Sequence, residues 1–147
     1  MASWKDIESD APDFAASVLA RFEAGANKTL ATIRRDGGPR ISATEARFDG
    51  GQVVLGMMTG SVKLSDVQRD PRVALHSPTT DAPGSRPQDQ AGDAKLAGTL
   101  VETESKPGHV TFRLDITEAV FTHIADGKLV LETWHADRKY QRRTRLA

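Results

Sequence analysis

The segment from Val53 to His76 constrains the fold more than any other part of the chain. Val53, Val54, Leu55, Gly56, Met57 and Met58 form an almost continuous apolar run. It is too short for a typical helix and reads as a buried strand. A Gly60-Ser61 turn follows, then a short helix with Lys63 in its first turn. Asp70-Pro71 stops that helix, and Arg72 to His76 resumes as a strand. The unpaired amides of a helix N-terminus carry partial positive charge, and Ser61 can cap them or donate to an anion. Lys63 adds a full charge beside them, so the turn is a candidate phosphate seat. The plainer alternative is that Ser61 caps the helix and Lys63 faces water.

The flanking sequence builds a β-rich frame around this segment. Phe14, Val18, Leu19 and Phe22 recur at helical spacing, with Pro12 in a first turn and Gly25 beyond the end. This helix is expected to cover one end of a barrel. Leu30 to Ile33 and Ile41 to Phe48 read as strands around the turn Asp36-Gly37-Gly38-Pro39, and Asp49-Gly50-Gly51 is the next turn. Ala94 to Glu102 and Val110 to Leu114 are expected strands. Ala119 to Ile124 and Leu129 to Trp134 flank the hairpin turn Ala125-Asp126-Gly127. Ser77 to Asp93, rich in Pro and Gly, reads as a long exposed loop, either a lid or dimer contact or a simple insertion. The sum is a mainly β fold, an antiparallel split β-barrel once the resemblance below is added, with one or two flanking helices.

Composition narrows the function. The chain of 147 residues suits one domain spanning 1–147, and its formal net charge of zero gives no global attraction to nucleic acid or an anionic membrane. It has no cysteine, which removes thiolate catalysis and Cys-type metal sites. No basic-then-apolar leader opens the sequence and no stretch approaches the ~20 apolar residues of a membrane span. A soluble cytoplasmic protein is the expectation. His76, His109, His123 and His135 show no metal-ligand spacing, and no nucleophile elbow or Walker-type loop is present. No metal site and no hydrolytic triad are expected, and the catalytic residues are not assigned.

Three pieces in order carry a resemblance: Lys28 to Ser42 (KTLATIRRDGGPRIS), the Ser61-Val62-Lys63 helix with its Asp70-Pro71-Arg72-Val73 stop, and Leu129 to His135 (LVLETWH). Over roughly Lys28 to Trp134 the chain resembles the pyridoxamine 5′-phosphate oxidase-like family, the FMN-binding split β-barrels. The resemblance implies a flavin-dependent oxidoreductase in which the cofactor carries the redox chemistry. It places Ser61 and Lys63 on the cofactor phosphate. Arg40 and the strand Ile41, Ser42, Ala43 and Thr44 fall along the phosphate tail and ring. The backbone of Gly56 and Met57 approaches the ring, where Gly56 presents no side chain. Trp134 matches a tryptophan bordering the cofactor across a dimer interface, with a core aromatic as the alternative. Arg138, Lys139, Arg142, Arg143 and Arg145 read as a solvated basic tail from which one arginine can reach a phosphate.

Two departures separate this chain from true pyridoxamine phosphate oxidases. Val62 stands where they carry an Arg, and Glu45 where they carry the Lys that holds the substrate phosphate. Their Arg-x-His substrate motif is also not visible. The expectation is therefore a homodimer that binds FMN, or an 8-hydroxy-5-deazaflavin coenzyme, at the subunit interface and acts on an unidentified small molecule. A non-enzymatic flavin or haem carrier, or a scaffold with an empty site, stays open.

Overall fold

The structure is a computed structural model that describes residues 2–81, 84, 86 and 91–146. Three helices, α1 (Trp4–Asp10), α2 (Pro12–Phe22) and α3 (Val62–Arg69), accompany β1 (Lys28–Ile33), β2 (Pro39–Thr44), β3 (Ala46–Asp49), β4 (Gln52–Met58), β5 (Arg72–His76), β6 (Asp93–Lys106), β7 (His109–Ala125), β8 (Lys128–His135) and β9 (Lys139–Leu146). All pairings are antiparallel, in the order β2-β1-β5-β6-β7-β4-β3, with β8 on β7 and β9 on β8. The fold is a split β-barrel.

One long strand makes the split. β6 runs along one edge of β7, while the other edge divides: His109 to Arg113 pairs with β4, and Glu118 to Ala125 pairs with β8. At the fork the backbone needs other partners. Ile116 donates to the Ala2 carbonyl at 2.9 Å, and the Thr117 carbonyl accepts from Ala136 at 3.2 Å. The sequence predicts two strands here, Val110 to Leu114 and Ala119 to Ile124. They are one, because no Gly or Pro interrupts Asp115 to Glu118 and Ile116 is buried.

A second correction closes the barrel. The expected strand Ile41 to Phe48 breaks at Glu45 into β2 and β3. These are the two ends of the strand path yet consecutive in the chain, so Glu45 is the corner that joins them. The basic tail is also ordered: Lys139 to Leu146 pairs residue for residue with β8. At the base of the expected 77–93 loop, Ser77 is buried and exchanges two bonds with Ala94. Residues 82, 83, 85 and 87–90 of that loop lie outside the described residues.

The sequence predicts one or two helices and the structure has three. α1 carries a capping box, with Ser3 and Asp6 satisfying each other's backbone amides. α1 and α2 close one end of the barrel. Trp4 meets Phe48 edge-on at 4.8 Å, and Phe22 meets the same ring at 5.6 Å. Ile7, Val18, Leu30, Val53, Leu55 and Leu114, all fully buried, join the helices and strands in one cluster. α3 adds Leu64 and Val67 to it.

A clamped helix N-terminus as candidate cofactor site

The predicted phosphate seat sits on α3, and its geometry starts with a turn. Gly60 adopts φ +88, a conformation glycine accepts at low cost, and Ser61 donates its amide to the Met58 carbonyl at 3.1 Å. Ser61 is the N-cap, its hydroxyl accepting from the Leu64 amide at 3.4 Å. The amides of Val62 and Lys63 precede the first intrahelical bond and have no acceptor within the helix. They and the helix dipole favour an anion at this end.

Lys63 does not simply face water. Its Nζ donates to the carbonyl of Ala43 on β2 at 3.0 Å, tying two of the predicted elements together. Arg40 lies on the same strand and sends its Nε to Asp66 of α3 at 2.7 Å. Asp66 also accepts from Thr32 of β1 at 2.8 Å and from Arg69 at 3.1 Å, and Arg69 bonds the Ile33 carbonyl at 2.6 Å. A single buried carboxylate thus fixes α3 to β1 and β2. Burial alone raises the Asp66 carboxyl, but bonds from Arg40, Thr32 and Arg69 outweigh it and hold the pKa down at about 2.

Asp66 is the residue that reading the sequence missed. It lies next to the apolar positions Leu64 and Val67 without sharing their spacing, and nothing local marks it as buried. Its partners come from strands far away in sequence. Alternation along β2 puts Arg40, Ser42 and Thr44 on one face and Ile41 and Ala43 on the other. Thr44 is buried, and the Ser42 hydroxyl is buried with no hydrogen-bond partner. Ile41, Met58 and Val62 are each exposed, at 74%, 72% and 55%.

The remaining predicted residues are placed differently. The Met57 side chain points into the core, so only its backbone can face a ligand. The space in front of Gly56 is taken by the His109 imidazole, against which any Cβ would collide. Glu45, Arg47, Gly56 and His109 surround a cavity of about 150 Å³. Trp134 stands apart from the seat. It is buried at 1% exposure, its indole N–H donates to Asp10 of α1 at 2.9 Å, and it borders a cavity of about 610 Å³. Among the described residues no cluster of His, Cys, Asp or Glu is arranged to hold a metal, and no helix is long and apolar enough to cross a membrane.

No protein-family model matches this sequence, and no curated protein does. Solved structures do match in shape. A pyridoxamine 5′-phosphate oxidase-related, FMN-binding protein from Nostoc punctiforme superposes with a TM-score of 0.66 at 14% identity, covering 100% of this chain and 98% of that one. An F420 reductase gives 0.54 at 18% identity, covering 68% and 93%. A heme-binding protein from Mycobacterium smegmatis gives 0.62 at 18% identity, covering 83% and 58%. Together with the forked nine-stranded sheet and the helix inserted after β4, these likenesses show that the chain has the fold of the pyridoxamine 5′-phosphate oxidase-like split barrels.

Proposed function

We propose that this protein binds FMN, or an 8-hydroxy-5-deazaflavin coenzyme, between two copies of the chain, and serves as an oxidoreductase for a small molecule. The observation that carries the reading is the clamp. Lys63 of α3 bonds the Ala43 carbonyl of β2, Arg40 of the same strand bonds Asp66 of α3, and the Ser42 hydroxyl on that strand is orphaned. Groups of these kinds suit a phosphate, since helix amides, a lysine, an arginine and hydroxyls are the donors a dianion takes. Ser61, Lys63 and Arg40 would hold the phosphate, and Ile41 to Thr44 would line the remainder, with the Gly56-Met57 backbone joining them once the His109 side chain swings aside. When bound, the flavin supplies hydride transfer, while the protein binds and orients it. The neighbours that bind FMN or are F420 reductases support this choice of cofactor. Glu45 opposes a phosphorylated substrate of the pyridoxamine type, because a carboxylate near a dianion costs several kcal/mol unless a cation intervenes.

The seat is tested by titrating FMN into wild type and Lys63→Ala. Loss of one charge-assisted bond is expected to weaken FMN about 10- to 150-fold. Riboflavin, which lacks the phosphate, is expected to bind both proteins equally. Equal FMN affinity in the two proteins overturns the reading, as does purified protein whose spectrum shows haem.

The second copy is supported by the large apolar side chains of Ile41, Met58 and Val62, which the single chain leaves exposed. A two-fold dimer burying more than about 2,000 Å² in total is expected. Sedimentation velocity at micromolar concentration checks it, and a stable monomer sinks the shared site.

A further inference from the structure

We propose that the β8–β9 hairpin carries a second binding site, for a small organic oxyanion bearing at least two negative charges. It is distinct from the α3 seat and does not depend on the flavin reading. The cavity there measures about 490 Å³, within the range of small-molecule sites. Arg138, Arg143 and Arg145 line it, and Leu131, Thr133 and Gln141 provide an apolar patch and neutral hydrogen-bonding groups. Among the described residues no carboxylate lines it.

Register explains how the charges gather. On β9, Gln141, Arg143 and Arg145 alternate onto one face, opposite Thr133, Leu131 and Leu129 of β8. The other face is locked separately: Tyr140 donates to Glu132 at 2.7 Å, and Glu132 also holds His123 at 2.7 Å. The arginines are therefore presented by an ordered ribbon rather than a loose tail.

Three guanidinium groups around one cavity favour an anion there. Nearby acids do little to offset this. Asp137 stands 3.8 Å from Arg138 Nε with both side chains exposed, and Glu118 is engaged by His135 Nε2 at 2.8 Å. His135 lines the cavity, and its Nδ1 is buried with no hydrogen-bond partner. Because Nε2 is the nitrogen that donates to Glu118, Nδ1 is an acceptor, which suits a hydroxyl or an acidic proton carried by the ligand and not its charged oxygens. The planar forks of arginine match carboxylate or phosphate oxygens two at a time, so the shared chemistry is that of a multiply charged oxyanion.

The test is calorimetric titration of the full chain with inorganic pyrophosphate and, separately, citrate, at constant ionic strength. Saturable binding of at least one is expected. Tighter pyrophosphate marks a phosphate ligand, and tighter citrate marks a polycarboxylate. The double variant Arg143→Gln, Arg145→Gln is expected to bind at least about tenfold more weakly, with an unchanged melting profile by circular dichroism. Lys106→Gln, a charge change at the β6–β7 tip, is expected to leave binding intact. Three results overturn the site: no saturable binding of either probe, equal binding by the double variant, or a loss produced by Lys63→Ala and not by the double variant. Should the double variant misfold, Arg143→Lys with Arg145→Lys preserves charge but removes the bidentate forks, and is expected to weaken binding by the same mechanism.

Discussion

Asp66→Ala is expected to destabilise the protein by about 3 kcal/mol, at the low end of the range for breaking a buried ion pair. The carboxylate is buried while its cationic partners Arg40 and Arg69 keep side-chain exposures of 25% and 29%. Water therefore takes up part of what the two guanidinium groups lose. The Thr32 hydroxyl, which is buried, loses its acceptor outright. Urea denaturation measures the loss, and a change of less than about 0.5 kcal/mol contradicts the clamp. Because Arg40 and α3 lose their common anchor, FMN affinity is expected to fall in this variant as well. The same residue shapes the acid limb of stability. Its folded pKa of about 2 lies below the ordinary 3.8. The group therefore stabilises the fold above pH 4, by about 2 kcal/mol, and that contribution is lost as pH falls from about 4 toward 2. Asp66→Asn removes this portion of the pH dependence. Acid unfolding curves of wild type and Asp66→Asn that keep the same slope over this window would exclude it.

Trp134→Ala is expected to cost about 3–5 kcal/mol, the range for deleting a large buried aromatic. The indole is buried, so its removal leaves a cavity and strips Asp10 of its donor. Trp134→Phe keeps most of the volume and loses only the N–H, so about 1–2 kcal/mol is expected. The pair of variants discriminates between the two roles the sequence leaves open. A tryptophan that borders a cofactor across an interface predicts near-native stability and weakened flavin binding on truncation. A core tryptophan predicts the reverse order of effects, with stability falling first. Chemical denaturation and flavin titration of the same samples decide between them.

Much of the frame was legible along the chain, and for a local reason. Turn chemistry at Asp36-Gly37, Asp49-Gly50 and Asp126-Gly127 marks the hairpins, and the positive φ of Gly37, Gly50, Asp126 and Gly127 matches it. The apolar run to Met58, the Ser61 cap and the Pro71 stop define β4, α3 and β5. Even α1, which the sequence reading passed over, announces itself in the Ser3-to-Asp6 capping box. These signals act between residues a few positions apart, so order and composition are enough to state them.

Tertiary structure decided what depends on pairing at a distance. The fork of β7 follows from which strands pair with each half of its edge, and no residue in Asp115 to Glu118 encodes that choice alone. Residues 139–146 look like a solvated basic tail until β8 supplies hydrogen bonds that turn them into a strand, and only then do alternate arginines share a cavity. Asp66 becomes the anchor of α3 because Thr32 and Arg40 arrive on separate strands. Trp134 is buried because the chain folds back on it and Asp10 of α1 takes its indole N–H. The sequence by itself determined the turns, the elements β1, β4, α3, β5 and β8, and the cation beside a helix N-terminus. Burial and long-range hydrogen bonding decided which of those charges are anchored, because desolvation acts only where the packed chain excludes water.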